Sequence, residues 1–165
     1  MRRAFVFGCM TIAAVLVLGQ VVLGADMIVG TWKMNVAKSK YSPANLAPKS
    51  GTSKIEAVQG GIKVTAEGVD SQGRKTLTEY TTKLDGTDAT GFKSTVDGRP
   101  NPDQDAAAWK KIDDYTYENI AKLKGQALTT TRVVVSRDGK TRTNTVTGKN
   151  AQGQAVNNTI LYEKQ

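Results

Sequence analysis

The sequence contains no histidine at all. Histidine is the commonest general base and metal ligand and the usual proximal ligand of haem, so its absence excludes Ser-His-acid triads, zinc hydrolase sites and histidine-ligated haem. Carboxylates are present, but most lie beside glycine in turn-like stretches, where their ordinary role is to stabilise turns. We therefore expect a noncatalytic protein without cofactor or metal.

Cysteine is almost absent, and the only one, Cys9, lies in an apolar run near the N-terminus. Arg2 and Arg3 precede this run, residues 4–18 contain one polar residue, and small residues follow at Gly24 and Ala25. This order is typical of a secretory signal peptide. We expect a signal peptide over residues 1–25, cleaved after residue 24 or 25, and a periplasmic or secreted domain over residues 26–165. A retained membrane anchor is the alternative.

Cys9 lies too early in the run to be the lipid-attachment cysteine of a lipoprotein. The domain after residue 25 therefore has no cysteine and can form neither a disulfide nor a thiolate metal site. Its stability must come from its core, and about 140 residues is an ordinary size for one domain with one core.

Acidic residues are fewer than basic ones, 15 Asp and Glu against 23 Lys and Arg. The basic residues are dispersed along the chain in pairs such as Arg74-Lys75, Lys110-Lys111, and Lys140 with Arg142. No nucleic-acid reader motif accompanies them. We interpret them as a solvated surface that also protects sheet edges, and we expect no nucleic-acid partner.

No long segment has helical periodicity. Turn signals such as Asp70-Ser71-Gln72-Gly73, Asp85-Gly86 and Asp138-Gly139 instead separate Thr- and Val-rich segments of about 6–11 residues. Alternation of apolar and polar residues within these segments predicts antiparallel strands with one buried face. We expect an all-β, antiparallel up-and-down β-barrel of about 8–10 strands. Residues 105–112 fit a strand or a short helical turn equally well, and residues 37–50 and 97–103 are expected to be long loops.

Gly30-Thr31-Trp32, directly after the expected signal, resembles the Gly-x-Trp signature of the lipocalin and fatty-acid-binding-protein (calycin) superfamily. Residues 30–43 are also similar to exported bacterial lipocalin-like proteins, and residues 157–164 resemble the last strand of such barrels. The resemblance implies that Trp32 is a structural plug at the closed end. This sequence departs from that of the fatty-acid-binding proteins, because Ile160 stands where those proteins have an arginine, although Tyr162 is kept. Pro43 and Pro48 also disfavour the helices that those proteins insert there.

Six polar or aromatic residues on the expected inner face are candidates for ligand binding, or else are ordinary core residues: Tyr80, Phe92, Tyr117, Asn119, Thr131 and Tyr162. The leading hypothesis is a monomeric extracytoplasmic barrel that binds or carries a small hydrophobic or amphipathic ligand, with no membrane span after signal cleavage. The alternative is an envelope structural or protein-interaction barrel with a filled core. A third is a carboxylate- or tyrosine-based enzyme of lipocalin-like fold.

Overall fold

The computed structural model describes residues 26–165, so the expected signal peptide at residues 1–25 lies outside the described residues. The described chain forms twelve β-strands and one short 3₁₀ turn at Ala44–Leu46, without an α-helix in this part of the chain. The strands are β1 (Gly30–Lys40), β2 (Ser50–Val58), β3 (Gly61–Val69), β4 (Lys75–Thr82), β5 (Asp85–Asp88), β6 (Thr90–Val96), β7 (Arg99–Pro100), β8 (Ala106–Lys111), β9 (Thr116–Leu123), β10 (Gln126–Val135), β11 (Thr141–Lys149) and β12 (Ala155–Lys164).

All twelve strands belong to one antiparallel sheet that curls into a half-barrel. The strand order is β5-β8-β9-β10-β11-β12-β1-β2-β3-β4-β6-β7, so most strands pair with their neighbours in sequence. Three pairings are not between consecutive strands: β1 pairs with β12, β4 with β6, and β5 with β8 at the other end of the order. The backbone N–H of Ala89 donates to the carbonyl of Ala107 at 2.7 Å, and that of Lys111 to the carbonyl of Leu84 at 2.9 Å. The short segment between β4 and β6 therefore connects the two ends of the strand order.

The expected all-β, antiparallel class is confirmed, but the number of strands is higher than the expected 8–10. The difference comes from short strands that the sequence pattern does not separate, β5 with four residues and β7 with two. The segment that could be strand or helical turn is strand β8. The first expected loop begins later than residue 37, because β1 continues through an irregular stretch until Lys40 pairs with Thr159.

Alternating side chains build the core, as expected for strands with one buried face. The buried apolar cluster fills one half of the curled sheet and contains Ile28, Trp32, Ile55, Ile62, Val64, Tyr80, Ala107, Trp109, Tyr117, Val133 and Val135. Within residues 26–165, no helix is long and apolar enough to cross a membrane.

Candidate ligand-binding site

A cavity of about 790 Å³ occupies the other half of the curled sheet. Strands β1 to β4 contribute to the core and line the cavity further along their length. In β3, Ile62 and Val64 belong to the core and Ala66 lines the cavity; in β4, Tyr80 belongs to the core and Thr78 lines the cavity. In these two strands the inward residues change from large apolar to small or hydroxyl-bearing ones, and this change leaves the space open.

The apolar part of the wall comes from β1, β12 and the loop between β1 and β2. Its larger side chains are Met34, Leu46, Pro48, Ile160 and Tyr162. Such a wall, with a few polar groups among apolar ones, is typical of small-molecule sites, whose volumes are about 300–1,000 Å³.

The loop after β1 is held over the cavity by β12. The backbone N–H of Ser42 donates to Oδ1 of Asn158 at 2.9 Å, and the N–H of Asn157 donates to the carbonyl of Ser42 at 3.0 Å. Inside the cavity, the Tyr41 hydroxyl donates to Sδ of Met34 at 3.2 Å, and burial raises the pKa of Tyr41. The loop is therefore an ordered part of the wall.

Two further turns meet beside the cavity. Asp103 precedes β8, and Gln152 lies in the turn between β11 and β12; Nε2 of Gln152 donates to Oδ1 of Asp103 at 3.0 Å, and both residues line the cavity. This hydrogen bond joins the connection between β7 and β8 to a turn between two strands in the middle of the strand order. An exposed contact thus bridges these two segments at the rim.

Trp32 is fully buried in the core, and its Nε1–H donates to the carbonyl of Ile28 at 2.8 Å. Nζ of Lys164 lies 5.0 Å from the centre of its ring. A Cβ at Gly30 would collide with the Lys164 side chain, so the absence of a side chain there lets the lysine reach the tryptophan. Trp32 does not line the cavity. The Gly-x-Trp segment therefore packs the filled half of the sheet.

Tyr80 and Phe92, two of the six candidate residues, lie together on the core side rather than on the cavity wall. Their rings stack with centres 5.4 Å apart. The Tyr80 hydroxyl accepts a hydrogen bond from Nε1–H of Trp109 at 2.8 Å. Burial raises the pKa of Tyr80 to about 12, since desolvation disfavours the phenolate.

Three other candidates lie on β9 and β10. Tyr117 is fully buried in the core, and its hydroxyl donates to the carbonyl of Asp114 at 3.4 Å. Asn119 is half-buried and donates from Nδ2 to the carbonyl of Ala108 at 3.2 Å. Thr131 pairs with Asn119 across the two strands and is half-buried as well. None of the three lines the 790 Å³ cavity.

Tyr162 is the one member of the six that lines the cavity. It pairs with Met34 on β1 and with Arg142 on β11, so these three side chains share one face of the sheet. Burial raises the pKa of Tyr162, and the neighbouring Arg142 opposes that shift. Tyr162 thus lies at the boundary between the cavity and the core.

Arg142 is not on the solvated surface where we expected it, because the structure leaves only 2% of it exposed. Its guanidinium carbon lies 4.2 Å from the centre of the Tyr162 ring and 5.3 Å from that of Trp32. The signal was present in the sequence. Thr141, Thr143, Thr145 and Thr147 alternate along β11, and a uniform threonine face places Arg142 on the opposite, inward face.

The sequence-based prediction missed three residues that line the cavity, Met34, Asn158 and Ile160. They lie on the same inward face as Tyr162, but no sequence motif distinguished them from ordinary core residues. Three acidic residues are also among those that line the cavity: Glu67, which follows the inward Ala66 on β3 and so has its side chain on the opposite face, Asp70 after β3, and Asp103 before β8. Asp70 is bound by Arg74 at 2.8 Å. Within the described chain, no group of acidic side chains is arranged to hold a metal ion.

Comparison of the sequence with known protein families and with curated proteins found no match in either.

Proposed function

We propose that this protein is a noncatalytic extracytoplasmic binding protein of lipocalin-like plan that takes a small, largely apolar ligand into the cavity beside Tyr162. The observation that carries the proposal is the cavity itself. Its volume of about 790 Å³ lies within the range of small-molecule sites, and its wall combines apolar side chains with a few polar ones.

The division of strands β2, β3 and β4 into a core part and a cavity part supports this function. A sheet whose only task was structural would gain from filling its interior, since burial of apolar surface stabilises a fold by about 25 cal/mol per Å². Here small residues such as Ser53, Ala66 and Thr78 line the cavity at inward positions where larger side chains would fill it. Tyr41, Leu46 and Pro48 of the loop after β1 add to the wall, and the hydrogen bonds of Ser42 to β12 hold the loop there, which suits retention of a ligand.

A second candidate function is an envelope structural or protein-interaction barrel. The observation in its favour is the dense core half, in which Tyr80, Phe92, Trp109 and Tyr117 pack together. In that case the cavity would remain without a ligand, and the outer face would carry the function.

Ligand titration separates the two. We expect the purified protein to bind 1-anilinonaphthalene, a neutral apolar fluorophore, saturably at one site with a blue shift of its emission. Ala66→Phe places a large ring into the cavity and should weaken binding about tenfold or more, because ligand and ring compete for one space. Ala127→Phe is the matched control, since Ala127 is exposed on β10.

Absence of saturable binding, or equal affinity in Ala66→Phe and the parent protein, would contradict a binding role for this cavity. The second candidate function, an envelope structural or protein-interaction barrel, would then be favoured. A circular dichroism spectrum equal to that of the parent protein establishes that each variant retains the sheet.

The extracytoplasmic location is part of the proposal and depends on residues 1–25. The charged start, the apolar run and the small residues at Gly24 and Ala25 support it. Full-length protein produced in a bacterial host should accumulate outside the cytoplasm, with an intact mass that matches a chain starting at Ala25 or Asp26. A cytoplasmic protein of full mass would contradict it.

A further inference from the structure

Arg142 carries a buried positive charge that no acidic side chain of the described chain neutralises. None of the ion pairs within residues 26–165 includes it. Its Nε is also buried without a hydrogen-bond partner. An uncompensated buried charge is among the costliest features in a protein interior, worth several kcal/mol, so a buried arginine ordinarily has an anion beside it.

Arg142 does not itself line the cavity, but its charge lies next to the cavity, against a side chain of the wall. Its guanidinium contacts the ring of Tyr162, which lines the cavity, and the ring of Trp32, which lies in the core. Aromatic faces offset only part of the cost of burying a guanidinium, and its Nε still has no hydrogen-bond partner in this structure.

Asn144 adds a second buried polar atom without a partner, on the same face of β11 as Arg142. It lies two residues after Arg142, and the atom without a hydrogen-bond partner is its Oδ1. It pairs with Ile160, which lines the cavity. Few buried polar groups lack partners in native proteins, so two neighbouring ones indicate that something else completes them.

We propose that the ligand of this cavity is a monoanionic amphiphile whose carboxylate or sulfonate group pairs with Arg142, while its apolar part lies along Met34, Leu46 and Ile160. This inference rests on the proposed function and names the class of ligand. One guanidinium neutralises one negative charge, and its planar donors suit a planar or tetrahedral oxyanion.

The charges at the rim agree with a ligand that inserts its anionic end first. Asp103 lines the cavity at a turn and belongs to no ion pair of the described residues, Asp70 is paired with Arg74, and the buried cation lies beside Tyr162. An anionic group left near the rim would face Asp103, whereas an anionic group beside Tyr162 would be next to Arg142. The apolar part of the ligand would then lie toward the opening.

The test compares two fluorophores that differ only in the anionic group, 1-anilinonaphthalene-8-sulfonate and 1-anilinonaphthalene. In Arg142→Met we expect the dissociation constant of the sulfonate to rise about tenfold or more, since loss of one partner of a buried charge pair is costly. The constant of the neutral compound should change by less than about threefold, because it makes no charge pair. Arg132→Met removes the same charge from an exposed position on β10 and should leave both constants unchanged.

Equal weakening of both fluorophores in Arg142→Met would overturn the proposal, because Arg142 would then only shape the cavity. Unchanged affinity for the sulfonate would overturn it as well. In both cases binding of the neutral fluorophore by the parent protein would leave the proposed binding function intact. If the parent protein binds neither compound, both proposals fail together.

Should Arg142→Met not fold, the parent protein itself gives the answer by NMR. Decane-1-sulfonate should shift the Nε–H resonance of Arg142, assigned by its loss in Arg142→Lys, whereas decan-1-ol should leave it in place. Equal shifts with both compounds, or none with the sulfonate, would overturn the proposal.

Discussion

At the scale of single residues, the interior is organised around three polar contacts among aromatic rings. Trp32 donates to the carbonyl of Ile28, Trp109 donates to Tyr80, and Arg142 contacts both Trp32 and Tyr162. The first two satisfy buried donors, and the third leaves a buried donor open. The same aromatic residues therefore stabilise the filled half of the sheet and hold one cation without an ion-pair partner next to the cavity.

Ionisation of Tyr80 makes the free energy of unfolding depend on pH in the alkaline range. Burial raises its pKa to about 12, compared with about 10 in the unfolded chain. Between these values the unfolded chain loses a proton that the folded chain keeps. The contribution of Tyr80 is therefore fully present below about pH 10 and is lost as pH rises toward 12, up to about 3 kcal/mol.

Urea unfolding at about pH 8 and about pH 11 measures this effect. The free energy of unfolding should fall between the two, and the fall should be shallower in Tyr80→Phe, which cannot ionise. In Tyr80→Phe the free energy of unfolding should still fall to some extent, because burial also raises the pKa of Tyr162. An identical fall in the parent protein and Tyr80→Phe would contradict the burial of the phenol.

At the scale of elements, close approach between neighbouring strands fixes where glycine is needed. Gly148 on β11 has φ of +134° and pairs with Thr129, next to the register shift in β10. A Cβ there would collide with the backbone carbonyl of Leu128. Gly153, in the turn between β11 and β12, has φ of +78° but open space around it.

Gly148→Ala should therefore destabilise the protein more than Gly153→Ala does. The turn variant carries only the cost of a left-handed conformation, about 1–2 kcal/mol. The strand variant adds a collision with backbone atoms, which cannot move without disturbing the pairing of β10 with β11. Chemical denaturation of both variants gives the two losses, and a smaller loss for Gly148→Ala would contradict the close approach.

At the scale of the whole molecule, one curled sheet combines a rigid core half with an open half. A ligand that binds only the folded state stabilises the whole sheet by mass action. We expect 1-anilinonaphthalene at about ten times its dissociation constant to raise the free energy of unfolding by about 1.4 kcal/mol.

The same concentration should stabilise Ala66→Phe much less, because the added ring occupies the cavity. Denaturation curves with and without the fluorophore measure both effects. Stabilisation of equal size in the two proteins would place the binding site elsewhere than in this cavity.

Prediction from the sequence succeeded where the signal is local. Alternation along the strands and Asp-Gly turns predicted an all-β antiparallel protein, and the phase of Tyr162 put it on the inward face where it lines the cavity. It did not distinguish Tyr80 and Tyr117, which fill the core, from Tyr162. All three occupy inward positions in the alternation of their strands, and they differ only in where along the strand direction of the curled sheet they lie.

The sequence by itself determined the all-β antiparallel class, the two-residue alternation of the longer strands and the absence of histidine chemistry, because these depend on residue type and on the period of a strand. Only the tertiary structure decided that β5 joins the far end of the strand order, that one half of the sheet is filled and the other open, and that the guanidinium of Arg142 lies against the rings of Trp32 and Tyr162. These features depend on contacts between segments far apart in the chain, where register and curvature of the sheet bring side chains together, and local sequence patterns do not record them.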